Sequence, residues 1–195
     1  MEFQDVVRRR RMVRRYQDRP VPEEVRDRLL DNATRGPSAG FSQGQAFLVL
    51  EGEDLARFWA VDELWAVDSV QETAPLVIVP LSCKRAYLDR YAEPDKGWTD
   101  RDEARWPVPF WHIDTGMAAL LILQTAVDEG LGALYFGLSP DSVDAFRAEF
   151  GVPADHEPIG AISIGYPDEP TQHQLSSARS RPRRDRDEVI HHGRW

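Results

Sequence analysis

Thiols, lysines and long apolar runs are scarce in this chain, and each shortage closes off a class of explanation. Cys83 is the sole cysteine, so no disulfide can form within the chain and a disulfide-stapled scaffold is excluded. It falls in an apolar stretch, where a buried, inert thiol is the default. No apolar run approaches the ~20 residues that cross a membrane. The opening residues include Glu2 and Asp5 and lack the apolar core of a secretion signal. These absences point to a cytoplasmic protein with no membrane partner. No G-x-G-x-x-G fingerprint follows a strand-like segment, which argues against a permanently held dinucleotide. No cluster shows metal-ligand spacing, and His191 and His192 sit in a polar tail with no matching ligand nearby. A basic balance is also missing. The formal net charge is -9 and the isoelectric point lies near 5.1, which speaks against nucleic acid as the main partner.

Arginine is what the chain has instead. Lysine occurs only at Lys84 and Lys96, and the other 22 basic residues are arginine. Arginine clusters stand at both ends: residues 8–15 read RRRRMVRR and residues 179–186 read RSRPRRDR. A guanidinium binds a phosphate through paired, planar hydrogen bonds, so two distant clusters could converge on one phosphate. The competing reading is a solvated, ion-paired surface. Arg8, Arg9 and Arg15 are assigned to that second role. Residues 37–43 (PSAGFSQ) form a tight loop in which backbone can approach a ligand.

Periodicity predicts helices over Phe3 to Arg11, from Pro20–Glu24 to Gly36–Pro37, over Asp54 to Val67, over Ile113 to Glu129, and from Ser139 to about Phe150. The second helix carries a stripe of Val25, Leu29 and Ala33. The fourth is read with Asp114 as its N-cap and Gly130 as its stop. It is apolar nearly all round, which fits burial on several sides, including against a second subunit. Strands are expected over Ala46–Leu50, Pro75–Leu81, Ala133–Phe136 and Ala161–Ile164. Residues 92–109 (AEPDKGWTDRDEARWPVP) read as an excursion or lid. Two helices precede the first strand, so an α+β arrangement of three layers is preferred over a doubly wound fold.

Three segments then carry a resemblance. Arg10 to Tyr16 (RRMVRRY) is similar to the RRSxRxF/Y opening of the FMN-dependent nitroreductase family. Pro37 to Phe47 (PSAGFSQGQAF) is similar to its PSxxNxQPWxF loop. Trp111 to Gly116, followed by Gly130-Leu131-Gly132, is similar to its central helix and GLG turn, and the tail from Arg183 to Trp195 to its C-terminal ending. The resemblance implies a three-layer α/β/α sandwich around a mixed, mainly antiparallel sheet. It also implies an intertwined homodimer with FMN at the interface and a 167–195 extension wrapping the partner. Arg10, Arg11, Met12 and Arg14 would line the flavin phosphate, ribityl chain and ring edge. Pro37, Ser38 and Ala39 would meet the ring from the partner subunit. Tyr135, Phe136 and Gly137 would lie against the ring, and Arg181, Arg183 and Arg184 would close on the phosphate.

The implied activity is reduction of nitroaromatic or quinone-like acceptors by NAD(P)H in a ping-pong cycle. The flavin carries the chemistry, so no catalytic side chain is expected. The chain departs from the family pattern where Met12 replaces the usual serine, Phe41 the usual asparagine and Gln45 a common tryptophan. Phe41 is also a feature of the flavin-fragmenting dimethylbenzimidazole synthases, whose acidic residue in the opening motif is absent here. A non-enzymatic polyanion-binding or flavin-binding role is the third reading. Trp98, Trp106, Phe110 and Trp111 either cap a flavin pocket or pack a lid onto its own chain, and His112 is either a substrate contact or structural.

Overall fold

The computed structural model describes residues 1–61, 73–168 and 181–195. Helices run over Phe3–Arg9 (α1), Glu23–Ala33 (α2), Glu53–Val61 (α3), Lys84–Tyr91 (α4), Phe110–Asp128 (α5), Val143–Phe150 (α6) and Arg186–Val189 (α7). Strands run over Gln45–Glu51 (β1), Leu76–Ser82 (β2), Gly132–Phe136 (β3), Glu157–Pro158 (β4) and Ala161–Gly165 (β5). The helix expected over Asp54 to Val67 is observed as α3, and its part beyond Val61 lies outside the described residues.

The sheet order is β1-β2-β5-β3, with β4 beside β2. Every named ladder is antiparallel, with Val49 opposite Ile78, Leu76 opposite Ile164 and Leu134 opposite Ser163. One isolated parallel bridge joins Met12 to Ala133. β2 and β5 are buried along their whole length, and successive side chains point to opposite faces. Leu76, Ile78, Ile162 and Ile164 therefore pack against Val25, Leu29 and Ala33 of α2 and Ala118, Ile122 and Ala126 of α5. Val77, Val79, Leu134 and Phe136 face the other way, onto Phe58 of α3 and Phe146 of α6. Helices cover both faces, which is the expected three-layer α+β sandwich.

Two local expectations are corrected. Asp114 does not cap α5, because the helix begins at Phe110 with Pro109 in the N-cap position. The aromatic run Phe110-Trp111 enters the helix because those rings pack against the preceding excursion. The far end of α5 does close as expected. Leu131 N–H donates to Ala126 C=O at 2.7 Å and Gly130 N–H to Val127 C=O at 3.1 Å, with Gly130 at φ +74°. That is the paired helix-ending motif in which glycine takes the left-handed position without penalty. Helix α4 was not anticipated at all, since KRAYLDRY mixes charges and rings without an apolar stripe.

α5 spans 19 residues and is apolar enough, by length and composition, to compare with a membrane span. Its buried side rests on α2 and the sheet. The opposite side exposes Ile113, Met117 and Leu120 at helical spacing, and Phe3 and Val7 of α1 are exposed as well.

Candidate functional site

After α1 the chain extends along the free edge of β3. Val13 N–H donates to Ala133 C=O at 2.9 Å, and Gln17 N–H donates to Tyr166 C=O at 2.9 Å. Tyr16 locks this path. Its buried hydroxyl lies 2.6 Å from Val13 C=O, 3.0 Å from Ser163 C=O and 2.9 Å from Ser163 Oγ, and burial pushes the phenol pKa up. Close approach to β3 needs Gly132. A Cβ there would stand 2.6–2.7 Å from the Val13 side chain.

Alternation along this extended stretch sorts the predicted residues. In a regularly extended chain Arg10, Met12 and Arg14 would share one side, and Arg11 and Val13 the other. The lining of a cavity of about 460 Å³ agrees, because Arg11 and Val13 contribute to it together with Arg8, Arg9, Gly130, Leu131, Gly132 and Pro167. Arg8 and Arg9 are exposed, as expected, and Arg8 pairs with Asp5 at 2.6 Å while both line the same concavity as Arg11. Met12 is half-buried and packs against both core clusters. Arg10 and Arg14 are half-buried and have no acidic partner among the described residues, in a chain of 33 acidic residues.

The loop at residues 37–43 is held from beneath. Asp114, only 4% exposed, accepts from Ala39 N–H at 2.8 Å and from Tyr87 O–H at 2.8 Å. Burial and this bond to a carboxylate raise the Tyr87 pKa. Ser38 Oγ accepts from Gln43 N–H at 2.8 Å, and Arg90 Nε donates to Gly40 C=O at 2.9 Å. The Tyr91 ring closes the space at Gly40, where a Cβ would approach it to 2.6 Å. On this base the backbone is strained. Phe41 has φ +56° and Gln43 φ +52°, a region costly for side chains other than glycine. Phe41 is 74% exposed, so its ring does not repay that cost by packing.

The remaining candidates fall into two groups. Tyr135 is half-buried and its hydroxyl donates to Ile159 C=O. The Phe136 ring is core: it is 7% exposed and stacks on Trp59 at 5.9 Å. Only its backbone, with exposed Gly137, remains for a ligand. Arg181, Arg183 and Arg184 lie in a segment exposed throughout. Arg184 pairs with Glu188 at 3.3 Å, and none of the three lines the cavity beside the opening cluster. Among the described residues, the expected meeting of the two arginine ends is not made within one chain.

The 92–109 excursion is tied down. Trp106 packs against Tyr91 at 4.5 Å, Trp98 at 5.6 Å, Phe110 at 5.7 Å and Tyr87 at 6.0 Å. These rings join the segment to α4 and α5, so they buttress the loop that α4 supports. His112 Nδ1 lies 2.8 Å from Ser82 Oγ and its Nε2 3.4 Å from Glu157, which anchors the start of α5 to the sheet.

The profile of the nitroreductase family matches residues 7–166, most of the chain. The chain belongs to the nitroreductase family. A Methanothermobacter thermautotrophicus protein named as an NADH dehydrogenase/NAD(P)H nitroreductase is 31% identical over 172 residues, 87% of this chain and 79% of that protein. A Staphylococcus aureus NADPH-dependent oxidoreductase is 24% identical across 98% of this chain and 73% of its own length. Among solved structures, B. megaterium NfrA1 superimposes with TM-score 0.78 at 19% identity, over all of this chain and 75% of that one. An FMN-dependent nitroreductase from Clostridium difficile gives TM-score 0.69 at 22% identity, over 97% and 98% of the two chains. Both share the fold. Family membership makes the protein an oxidoreductase and removes the non-enzymatic reading.

Sequence reading missed the residues that set the loop. The sequence pattern makes Asp114 a helix cap, and Tyr87 and Arg90 lie in a helix without a periodic signal. A buried carboxylate in the interior of an apolar helix was the available sign, because such a group needs donors from elsewhere in the fold.

Proposed function

We propose that this nitroreductase works as a homodimer that binds FMN and uses NAD(P)H to reduce nitroaromatic or quinone-like acceptors in a ping-pong cycle. The observation that carries this reading is the pair Arg10 and Arg14, half-buried beside a backbone pinned to β3 and without an acidic partner among the described residues. Half-buried guanidiniums without carboxylates suit a phosphate or an electron-rich ring edge. The residues present fit a flavin mononucleotide in two further respects. Gly137 leaves backbone open beside β3, and the 37–43 loop presents a strained, exposed turn on a rigid base. Strain of this kind gathers at ligand sites.

In this reading Arg10 and Arg14 hold the phosphate and ring edge of one FMN, and the backbone at Phe136–Gly137 meets the ring. The turn at Pro37, Ser38 and Ala39 approaches from the second subunit. Arg181 and Arg183 reach the phosphate through the exposed tail, with Arg184 after release from Glu188. The open side of α5, with Ile113, Met117 and Leu120, supplies the dimer contact that brings the halves together. Bound FMN would supply two-electron chemistry, accepting hydride from NAD(P)H and passing it to the acceptor. The chain itself supplies binding, orientation and one uncovered face.

Each charge-assisted hydrogen bond contributes about 1.5–3 kcal/mol, so loss of one guanidinium weakens binding about 10-fold to 150-fold. The purified protein should be yellow and release FMN on denaturation. NADH or NADPH should bleach it without oxygen, and a nitroaromatic should restore the colour. Arg10→Ala and Arg14→Ala should each lower flavin retention by that factor while the circular-dichroism spectrum stays unchanged. Full retention in the double variant would overturn the assignment. Loss of the flavin spectrum on reduction, without recovery, would favour the flavin-fragmenting alternative.

A further inference from the structure

Away from the opening segment, three ligand-type side chains meet that are far apart in sequence. Cys83 Sγ, a carboxylate oxygen of Asp155 and an imidazole nitrogen of His156 all lie within 4.8 Å of one another. Cys83 stands between β2 and α4, and the other two stand in the loop that leads from α6 to β4. The thiol is buried, while the Asp155 and His156 side chains are each 25% exposed, so the group opens to solvent on one side. His156 Nδ1 and Asp155 Oδ1 are 2.8 Å apart, which fixes both groups. Asp155 Oδ2 is buried and lies 2.5 Å from the Arg85 guanidinium, whose side chain is 70% exposed.

We propose that Cys83, Asp155 and His156 form a binding site for a zinc-class divalent cation, with water in the fourth position. The donor set decides the class. Thiolate with imidazole selects zinc or cobalt over magnesium and calcium, which take oxygen ligands. Donors around tetrahedral zinc stand about 3.3–3.8 Å apart, so closure needs a contraction on the order of 1 Å. Rotation of an exposed loop side chain provides movement of that size. Arg85 occupies the cation's place electrostatically and swings out when the cation arrives.

The site would act as a clip on the structure beside it. Cys83 N–H donates to Gly44 C=O at 2.7 Å, and Cys83 opens the helix whose Tyr87 and Arg90 hold the 37–43 loop. A bound cation would join the α6–β4 loop to the base of that turn.

The test uses the tag-free, full-length chain stripped with a chelator. Titration with Zn²⁺ against a chromophoric chelator should show one tight equivalent per chain. Co²⁺ should give a thiolate-to-cobalt charge-transfer band with the intense visible bands of tetrahedral coordination. Cys83→Ser and His156→Gln should abolish that band and weaken Zn²⁺ binding by more than the roughly 10–100-fold that loss of an outer partner costs. Arg85→Ala, an exposed change that leaves folding intact, should tighten binding. Zn²⁺ should also raise the melting temperature of the unaltered chain. The proposal is overturned if the unaltered chain takes up no Zn²⁺, if Arg85→Ala leaves affinity unchanged, or if binding survives Cys83→Ser but is lost when His191 and His192 are replaced.

Discussion

Phe41 is the residue at which folding preference and placement conflict most. Its backbone is left-handed and its ring is exposed, so neither local sterics nor packing favours phenylalanine there. Asparagine tolerates this conformation better. Phe41→Asn should therefore stabilise the fold by up to about 1 kcal/mol, read as a higher urea midpoint. A lower midpoint would mean that the ring packs on something in solution, the partner subunit being the first candidate. Asp114 shows the opposite economy. One buried carboxylate satisfies Ala39 N–H and Tyr87 O–H together, and so fixes the turn from two helices. A regularly extended chain would separate Arg11 from Arg10 and Arg14 by backbone geometry alone, because it alternates its side chains.

Among the elements, the edge segment beside β3 depends on a contact that only glycine permits. Gly132→Ala would force its new methyl into Val13 and push the opening arginines off the sheet. The expected cost is about 1–3 kcal/mol, with flavin retention falling in the same variant. Unchanged flavin retention would show that the edge segment does not hold the cofactor. Apolar stripes made α2, α5 and the central strands legible in the sequence. Val25, Leu29 and Ala33 mark the buried side of α2, and the unbroken apolar run of β2 marks a strand covered on both faces. α4 was not legible, since Tyr87 is buried by its aromatic neighbours rather than by a helical stripe. The 92–109 segment looked like a lid because tryptophans between prolines and acids carry no period. The neighbours that bury Trp106 come from α4 and α5 as well as from its own segment.

For the whole molecule, the open side of α5 is the feature that asks for a partner. Leu120 is 45% exposed, so Leu120→Glu should leave the secondary structure and core intact. On the proposed dimeric reading, it should shift sedimentation from dimer to monomer and release FMN. A monomer that keeps its flavin would contradict a shared site. Acid should act through ion pairs. Arg28 lowers the pKa of Glu129, Arg90 that of Asp95, Arg105 that of Asp100, and His156 with Arg85 that of Asp155. Each pair's contribution is complete above the unfolded carboxylate pKa of about 4 and is lost as pH falls through the lower folded value. The urea midpoint should therefore drop below about pH 4, and salt should shrink the part of the drop that comes from Asp95 and Asp100, which are exposed.

Patterns along the chain sufficed for the layered α+β class and the opening and loop motifs, because burial period and turn chemistry are local properties of neighbouring residues. Contacts between distant residues obey no such period. The pairing of Asp114 with Ala39 and the gathering of Cys83, Asp155 and His156 exist only once sheet order and helix packing bring remote segments together. The same holds for the separation, among the described residues, of Arg181, Arg183 and Arg184 from the opening arginines, since a tail exposed from Arg181 onward is placed by no burial period that the sequence could show.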